Sequence, residues 1–551
     1  MLKEAPGTHS VTPSSITPTR LTPAEAHRPN DPRAAWRKYC GFLDLSPKDF
    51  SDVQEQLLME QLSLVHGSPL GRHIMRGARP TSVAEFRERV PLTTYGDYAP
   101  YLIPGRDDAL GAGALEWAHT AGIQGGFKWI PYTQRGLERF LDGVMAAFIL
   151  AGASKRGDVK LRAGGTVLFN APARPYVSGL ASVGMVERFG LRGIPDPVET
   201  EHLDFGEKVR IGFKQALGEQ VDVITSMTSV LVKVGAEMSE HASSTKLDRS
   251  MFRPRAFFRL AKALLKSKLL QRPILPKDLW PTKAILGWGA DTPFFRDQVN
   301  YYWGKVPFSL YICTEGGIMG METWERNGMV FNPYGDFYEF IPEEETRRSR
   351  EDARYQPRTV LLDEVEPDKT YEVVITNFYG MAFLRYRVGH FVKFMPSREA
   401  GQFPRFDFVG RADESIDLAG FTRLDEKSVW DALARSGVFV NEWTIRKEYN
   451  SNVPELHLYL EVIGTPPPDL AQLLHAKLKE VDHFYADLES VLGIRPMRVK
   501  LLPRGTFERF YQARREQGAE LGRRRPPHMN PSDEDIRELV GAAREEVAVW
   551  R

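Results

Sequence analysis

The strongest constraint on the fold is a regular alternation of short β-rich runs and helical stretches between residues 151 and 310. The β-rich runs lie at 165–169, 221–225 and 284–287, and the segments between them carry apolar residues at helical spacing. Strands separated by helices are typical of a parallel sheet with helices packed on its faces. The sequence therefore predicts an α/β fold with a parallel sheet in this region.

Further strands are expected after this region. Residues 337–342, 371–378 and 385–394 are predicted to be strands, and strand and helix patterns alternate again towards the C-terminus. A chain of 551 residues is too long for one compact core, so two or more domains are expected. We predict a large N-terminal domain over 34–411 and a small C-terminal α/β domain over 412–551.

The first 33 residues differ in composition from the rest of the chain. They are rich in Pro, Thr and Ser and contain few large apolar residues. Such a segment buries too little apolar surface to offset the entropy that it loses on ordering. We therefore predict a flexible tail over 1–33.

Composition excludes several classes of function. Lys and Arg number 73 against 72 Asp and Glu, so the net charge gives no reason to expect nucleic acid as a partner. Two cysteines, Cys40 and Cys313, are too few for a disulfide framework or a cysteine zinc site. The longest apolar run, 144–151, is much shorter than the roughly 20 residues that cross a bilayer, and no signal sequence is recognisable. These features predict a cytoplasmic protein without a membrane partner.

An amphipathic segment at 252–270 leaves two interpretations open. Phe257, Ala261, Leu264 and Leu265 lie on one side of a helix there, and basic residues lie mainly on the other side. Such a helix can bind a membrane surface. Because amphipathicity is normal for a surface helix, we favour a helix that packs on its own domain.

Two segments carry candidate phosphate and metal chemistry. The first, AHTAGIQGGFKWIP at 118–131, has glycines that permit a tight turn around an anion, with Thr120 and Lys128 as further donors. A glycine-rich connection without a ligand has the same pattern. The second, YICTEGGIMG at 311–320, suits a strand that ends at a site, where Glu315 would ligate Mg²⁺. A turn with an exposed glutamate also fits it, and Cys313 is expected to be a buried packing residue because no base lies beside it.

Two later segments suggest a hairpin and a hinge. The sequence NFYGMAFLRYRVGHFVKF at 377–394 predicts a β-hairpin with Arg385 and Arg387 on one face. The sequence GRAD at 410–413 precedes the C-terminal region, where a hinge would require a small flexible step.

In this order and at this spacing, the segments resemble the Gretchen Hagen family of auxin-responsive acyl-acid amido synthetases, a branch of the adenylate-forming enzymes. The resemblance includes FRERVPLTTYGDYAPYL at 86–102, TNFYG at 376–380, YRVG at 386–389 and PRGTFERF at 503–510. It covers residues from about 36 to 527. It implies an α/β adenylate-forming (acyl-CoA synthetase-like) fold, with a large N-terminal domain and a small mobile C-terminal α/β domain.

The resemblance also implies an activity and its residues. The family uses ATP and Mg²⁺ to convert a small-molecule carboxylic acid into an acyl adenylate, which an amine or amino acid then attacks to give an amide. The implied catalytic residues are Lys128, Glu315, which is also the metal ligand, Arg411 and Arg525. The implied nucleotide-binding residues are His119, Thr120, Gly122, Gln124, Gly125, Tyr311, Thr314, Gly316, Arg387 and His390.

Four motifs depart from the family pattern, one of them the usual GEK after the hinge, which is GFT at 420–422. The phosphate loop, usually SSGT[ST]xG, is HTAGIQG at 119–125, so only Thr120 keeps a hydroxyl. His390 stands where the family has a ribose-binding aspartate, and a neutral imidazole offers one acceptor nitrogen where a carboxylate accepts from two hydroxyls. Arg525 replaces a lysine, and the two side chains are not interchangeable.

Three hypotheses follow from the resemblance and these departures. The first, which we favour, is a divergent ATP-dependent ligase that joins a carboxylic acid to an amine or amino acid. The second is a relative with a repurposed nucleotide site that acts as an acyl-binding protein, a partner protein or an ATP-independent acyltransferase. The third is an adenylating enzyme that transfers the acyl group to a thiol such as coenzyme A.

Overall fold

The computed structural model describes residues 31–121, 127–240, 254–288, 292–352, 354–396, 403–411, 415–419, 421–438, 440–450, 453–462, 464–516 and 527–548. The predicted tail over 1–33 lies outside these ranges apart from its last three residues. Pro32 and Arg33 already belong to the first helix, which Asp31 caps by accepting a hydrogen bond from the Arg33 amide.

Strands occur along the whole described part of the chain. In chain order they are β1 (Glu116–Ala121), β2 (Phe127–Tyr132), β3 (Thr166–Asn170), β4 (Arg192–Ile194), β5 (Val223–Met227), β6 (Ala284–Trp288), β7 (Phe308–Cys313), β8 (Gly317–Glu322), β9 (Met329–Phe331), β10 (Asp336–Pro342), β11 (Thr370–Asn377), β12 (Tyr386–Phe394), β13 (Phe406–Arg411), β14 (Ile416–Leu418), β15 (Thr422–Leu424), β16 (Val440–Asn450), β17 (Val453–Val462) and β18 (Met497–Leu501).

Helices separate most of these strands. In chain order they are α1 (Pro32–Ala35), α2 (Pro47–Val65), α3 (Pro69–Met75), α4 (Val83–Arg89), α5 (Tyr95–Tyr98), α6 (Gln134–Gly152), α7 (Val177–Glu187), α8 (Phe205–Leu217), α9 (Thr228–Glu240), α10 (Pro254–Leu270), α11 (Pro276–Leu279), α12 (Thr292–Trp303), α13 (Glu343–Glu351), α14 (Glu426–Ser436), α15 (Leu470–Val481), α16 (His483–Leu492), α17 (Thr506–Glu516) and α18 (Asp533–Ala548). A π-helical turn lies at Trp36–Cys40, and 3₁₀ turns lie at Gly41–Asp44 and Asp107–Ala109.

Within the described ranges, eleven strands form one mixed sheet in the order β10-β11-β12-β13-β9-β8-β7-β6-β5-β3-β4. Strands β3 to β7 pair in parallel, with Val223 of β5 opposite both Val167 of β3 and Ala284 of β6. The predicted α/β fold with a parallel sheet is therefore confirmed. Strands β8 to β13 extend this sheet by antiparallel pairing, so that a strand-rich half adjoins the helix-covered half.

Helix α6 is the main helix of the core beside this sheet. Thr133 caps its N-terminus by accepting a hydrogen bond from the amide of Gly136. Its residues from Gly143 to Ala151 are all buried, which is why this segment contains the longest apolar run of the sequence. Gly143 allows close packing, since a Cβ there would lie 3.1 Å from Cβ of Ile318 and would push that side chain away.

The chain after β13 forms smaller sheets. Strands β14 and β15 form a hairpin, and β16, β17 and β18 form a three-stranded sheet covered by α14, α15 and α16. Their core, which includes Trp443 and Tyr485, also contains Met227 of β5 and Val230 of α9. Strand β13 ends at Arg411, and the division into domains at 411/412 stays a prediction.

One expectation from the sequence is wrong, and a second is met by a different side of its helix. The strands of the predicted hairpin are present as β11 and β12, but Arg385 precedes β12 with φ of +45°, so it does not share a strand face with Arg387. Helix α10 packs on its own domain as expected, yet Phe257, Leu264 and Leu265 are exposed. The helix packs instead through Ala263, whose small side chain fits against the core.

No helix in the described ranges combines the length and the apolar character that crossing a membrane requires.

Candidate active site

The hairpin of β1 and β2 divides its side chains between two faces. Thr120 lies directly opposite Lys128, and His119 lies directly opposite Trp129. Residues directly opposite each other point to the same side of a sheet, and neighbours along a strand point to opposite sides. Thr120 and Lys128 therefore share one face, while His119 and Trp129 share the other.

Lys128 lies between an aromatic ring and a carboxylate. Its Nζ is 3.9 Å from Oε1 of Glu315 and 5.5 Å from the centre of the Tyr95 ring. The Tyr95 hydroxyl accepts a hydrogen bond from the Trp129 amide at 2.7 Å, which fixes the ring beside the hairpin. The side chains of Lys128 and Glu315 are 24% and 11% exposed, so both can still meet a ligand.

The turn that carries Glu315 is held by side chains from distant parts of the sequence. The Tyr132 hydroxyl donates to the Thr314 carbonyl at 2.8 Å, and Nδ2 of Asn377 donates to the Glu315 carbonyl at 3.0 Å. The amide of Gly316 donates to Sγ of Cys313 at 3.2 Å. These bonds orient the Glu315 side chain towards Lys128.

Gly316 and Asp336 lie in close contact beneath this turn. A Cβ on Gly316 would lie 2.9 Å from Oδ2 of Asp336 and 2.8 Å from Sδ of Met319, so only glycine fits. Burial raises the pKa of the Asp336 carboxyl well above its usual value, although Nδ2 of Asn377 donates to Oδ1 at 2.7 Å. Oδ2 of Asp336 has no hydrogen-bond partner among the described residues.

His390 and Tyr311 form a buried pair beside the strand end of Arg411. Nδ1 of His390 is 3.1 Å from the Tyr311 hydroxyl, and His390 lies opposite Arg411 in the pairing of β12 and β13. Burial lowers the pKa of His390 well below its usual value, and the positive charges of Arg411, Arg423 and Lys128 add to this effect. His390 is therefore neutral at physiological pH.

His119 is neutral for a related reason. Its ring lies 4.5 Å from that of Tyr176 and 5.2 Å from that of Trp129, in edge-on contacts. Burial among these rings lowers its pKa to about 4. His119 thus supplies no positive charge towards a phosphate group in the structure.

An aromatic contact links this hairpin to the C-terminal part of the chain. The ring of Tyr176, which contacts His119, also lies 5.9 Å from the ring of Phe484 in α16. Helix α16 is capped by Asp482, which also accepts a hydrogen bond from the Thr422 hydroxyl. Tyr176 therefore connects the face of the hairpin opposite Lys128 to a residue beyond the predicted domain boundary.

Of the remaining candidates, two lie in the described part of the chain and four lie outside it. Arg387 forms a bidentate ion pair with buried Glu372, with Nε and Nη2 at 2.9 and 2.6 Å from the carboxylate oxygens. Arg411 is partly exposed at the end of β13. Gly122, Gln124, Gly125 and Arg525 lie outside the described residues.

Chemically, one end of the site supplies a hydroxyl, a cation and a carboxylate. No group of three or more His, Cys, Asp or Glu side chains in the described part of the chain is placed to hold a metal ion. A single carboxylate such as Glu315 fits Mg²⁺ when phosphate oxygens complete the coordination. Cys313 is buried as expected, and burial raises the pKa of its thiol well above its usual value.

Sequence reasoning missed four residues that hold this site together: Tyr95, Tyr132, Asp336 and Asn377. Tyr95 and Asn377 lie inside segments that the motifs contained, but nothing local in the sequence indicates which group each would contact. Asp336 is the first residue of a strand and carries no motif of its own.

Comparison with known proteins gives two family matches. Residues 41–170 match the GH3 family N-terminal domain, and residues 329–411 match the GH3 family central domain. A jasmonoyl–L-amino acid synthetase, GH3.5 of Oryza sativa subsp. japonica, is 26% identical over 286 residues, which are 48% of this chain and 48% of that protein. An indole-3-acetic acid-amido synthetase, GH3.3 of Arabidopsis thaliana, is 24% identical over 272 residues, or 45% of this chain and 44% of that protein. The matched segment thus spans about half the length of each relative.

Solved structures share the fold over almost the whole chain. The acyl acid amido synthetase AtGH3.15 in complex with 2,4-DB superposes with a TM-score of 0.52 at 19% identity, covering 93% of this chain and 97% of that one. A 2-hydroxyisobutyryl-CoA ligase in complex with 2-HIB-AMP and CoA gives a TM-score of 0.55 at 15% identity, covering 89% and 92%. The fold is therefore that of the adenylate-forming enzymes.

Proposed function

We propose that this chain, which matches two GH3 family domains, is a member of that family, the Gretchen Hagen family that its motifs resemble, and that it is an ATP-dependent amide ligase. It activates a carboxylic acid as an acyl adenylate and transfers the acyl group to an amine or amino acid. The observation that carries this proposal is the convergence of Thr120, Lys128 and Glu315 at one partly open position.

The three side chains suit the phosphate end of ATP. In adenylation, a carboxylate oxygen of the acid attacks the α-phosphorus, and the bond to pyrophosphate breaks. Lys128 stabilises the negative charge that grows on the departing phosphates, and Thr120 donates a hydrogen bond to them. Glu315 would hold Mg²⁺, which supplies further neutralisation of phosphate charge when bound. We include Gly122, Gln124, Gly125, Tyr311, Thr314, Gly316 and Arg387 in the proposed nucleotide site.

The second half of the reaction needs a different arrangement around the adenylate. We propose that residues 412–551 form a small mobile domain that turns about Arg411, with Arg525 entering the site in one orientation. The amine nitrogen then attacks the acyl carbon, AMP leaves, and the ammonium proton is released. Rotation about one hinge allows two reactions to share a pocket.

The class of acceptor is supported by the named relatives. One is named for joining jasmonate to an amino acid and the other for an indole-3-acetic acid amide. Fold alone does not choose between an amine and a thiol acceptor, so a CoA-type thioester ligase is separated from this proposal only by product analysis.

A second candidate function is favoured by one specific observation. His390, at the position of the ribose aspartate, is buried, neutral and bonded to Tyr311. A relative with a repurposed nucleotide site would bind an acyl ligand or a partner protein, or catalyse acyl transfer without ATP.

We also propose a cytoplasmic location without a nucleic-acid partner. The support is that Cys40 and Cys313 are both free and buried, as thiols in a reducing compartment are.

The testing experiment is acid-dependent exchange of labelled pyrophosphate into ATP, with a panel of aromatic and aliphatic carboxylic acids. The proposal expects exchange with at least one acid and loss of that exchange in Lys128→Ala, while Lys48→Ala, at an exposed position in α2, serves as the control. An amide, rather than a thioester, should form when amino acids and coenzyme A compete. Absence of exchange with every acid would favour the repurposed site.

A further inference from the structure

Helix α10 presents apolar side chains to solvent along most of its length. Six of its seven large apolar residues are between 45% and 80% exposed, namely Phe257, Phe258, Leu264, Leu265, Leu269 and Leu270. Soluble surfaces rarely carry so many large apolar residues on one element, and a contiguous patch of this kind marks an interaction site.

The exposed residues form a face because of their spacing. Phe257, Leu264 and Leu265 lie at intervals of seven and eight residues, so that they share one side of a helix, and Phe258 and Leu269 flank them. On the other side, Ala263 is buried and Leu260 packs against the adjacent core. The helix is thus attached to its domain by its less apolar side, and its most apolar side is left uncovered.

The charge of this region has a single sign. Residues 254–278 contain seven Arg or Lys and one acidic residue, Asp278, so their net charge is seven minus one, or +6. The Asp278 carboxylate is fully buried and pairs with Lys266 at 2.9 Å and Arg272 at 2.7 Å. No acidic group of this segment therefore faces solvent beside the apolar side chains.

A tyrosine and a lysine adjoin the same region. Tyr301 of α12 is exposed, and Nζ of Lys277 lies 5.2 Å from the centre of its ring. Tyrosine and lysine side chains have an apolar body and a polar end, which suits the boundary between a bilayer and water.

We propose that this apolar and basic face of α10 binds the surface of an anionic lipid bilayer. The helix lies parallel to the membrane plane, its phenylalanines and leucines enter the region between headgroups and acyl chains, and Lys262 and Lys268 meet anionic headgroups. A second copy of the chain is a poorer occupant, because two faces of the same positive sign repel each other. Surface binding was the less favoured of the two interpretations that the sequence at 252–270 left open, and it does not require the spanning length on which the expectation of no membrane partner otherwise rested.

The proposal is independent of the ligase activity, since none of these residues belongs to the candidate active site. The test is flotation of the full chain with vesicles of phosphatidylcholine alone or of phosphatidylcholine with phosphatidylserine. The chain should float with the anionic vesicles, remain behind with the neutral ones, and be released by salt because its electrostatic attraction is screened.

Two variants separate the apolar from the electrostatic contribution. Binding to the anionic vesicles should fall about tenfold or more in a triple variant that combines Phe257→Ser, Phe258→Ser and Leu265→Ser. It should fall about tenfold in a double variant that combines Lys262→Glu and Lys268→Glu. The matched control combines Leu64→Ser, Val198→Ser and Leu501→Ser, which are exposed apolar positions elsewhere, and should bind as the wild type does.

Three outcomes would overturn the proposal. The wild type would fail to float with either kind of vesicle, or the triple α10 variant would float as well as the wild type. Alternatively, sedimentation would detect self-association of the wild type that the triple variant abolishes, which would assign the face to a second copy.

Discussion

The hydroxyl of Tyr311 lies 3.1 Å from Nδ1 of His390, and both side chains are buried. The two residues are 79 positions apart in sequence, and their contact joins β7 to β12. His390 stands at the position where the family motif has a carboxylate. Burial keeps the imidazole neutral by lowering its pKa. The candidate nucleotide site therefore has a neutral partner where a negative one is expected to bind ribose.

Replacement of His390 by aspartate should strengthen nucleotide binding. In His390→Asp the carboxylate would accept hydrogen bonds from both ribose hydroxyls, and the positive charges of Arg411 and Arg423 would offset the cost of its burial. We expect the affinity for ATP with Mg²⁺ to rise about tenfold, the effect of one hydrogen bond to a charged group. Calorimetric titration measures it, with His390→Asn as the uncharged control. Equal affinities for the two variants would contradict the prediction.

His119 should make folding stability depend on pH. Its pKa is about 4 in the folded protein because of burial, below the usual histidine value. The unfolded chain thus binds the proton more readily than the folded protein. The stability that neutral His119 contributes is present above its pKa in the unfolded chain, and it is lost as the pH falls towards its pKa in the folded protein.

We expect this loss to be about 2 kcal/mol between about pH 7.5 and about pH 5. His119→Phe retains the aromatic contacts with Trp129 and Tyr176, and its free energy of unfolding should lack this part of the pH dependence. Urea unfolding of both proteins at the two pH values measures it. Parallel losses of stability in the two proteins would show that His119 does not contribute.

Asp336 should make folding stability depend on pH in the opposite direction. Burial raises the pKa of the Asp336 carboxyl in the folded protein. Its contribution to folding stability is therefore fully present below its pKa in the unfolded chain, and it is lost as the pH rises towards its pKa in the folded protein. Asp336→Asn keeps an oxygen that accepts from Nδ2 of Asn377 and removes the ionisation. The variant should match the wild type at about pH 4 and exceed it by about 1 to 3 kcal/mol at about pH 8. Thermal unfolding across this range checks it, and a variant that is less stable than the wild type at the higher pH would refute the assignment.

The strands were predictable because their signal is local. Runs of apolar and β-branched residues place β3, β5, β6 and β10 to within about two residues of their observed ends. The same local signal did not reveal the orientation of α10, because periodicity shows which residues share a face but not which face meets the domain. Arg385 was misassigned for a similar reason, since spacing alone does not reveal a left-handed residue before a strand.

The candidate site was predictable as a set of motifs but not as an arrangement. The resemblance identified Lys128 and Glu315 together, and the structure brings their charged atoms to 3.9 Å. Two residues fix the turn that carries Glu315. Tyr132 lies 182 residues from its partner in sequence, and Asn377 lies 62 residues from its partner. Contacts of this kind depend on the finished sheet, which no local pattern contains.

The most direct test of the central claim is calorimetric titration of the full chain with ATP in the presence of Mg²⁺, for wild type, Lys128→Ala and Glu315→Gln. We expect binding by the wild type that weakens about tenfold or more in each variant, since each variant loses a charge that faces the phosphates or their metal ion. In Glu315→Gln, omission of Mg²⁺ should make little further difference. No detectable binding by the wild type at millimolar ATP, or equal binding by all three proteins, would contradict an adenylation site at Lys128 and Glu315.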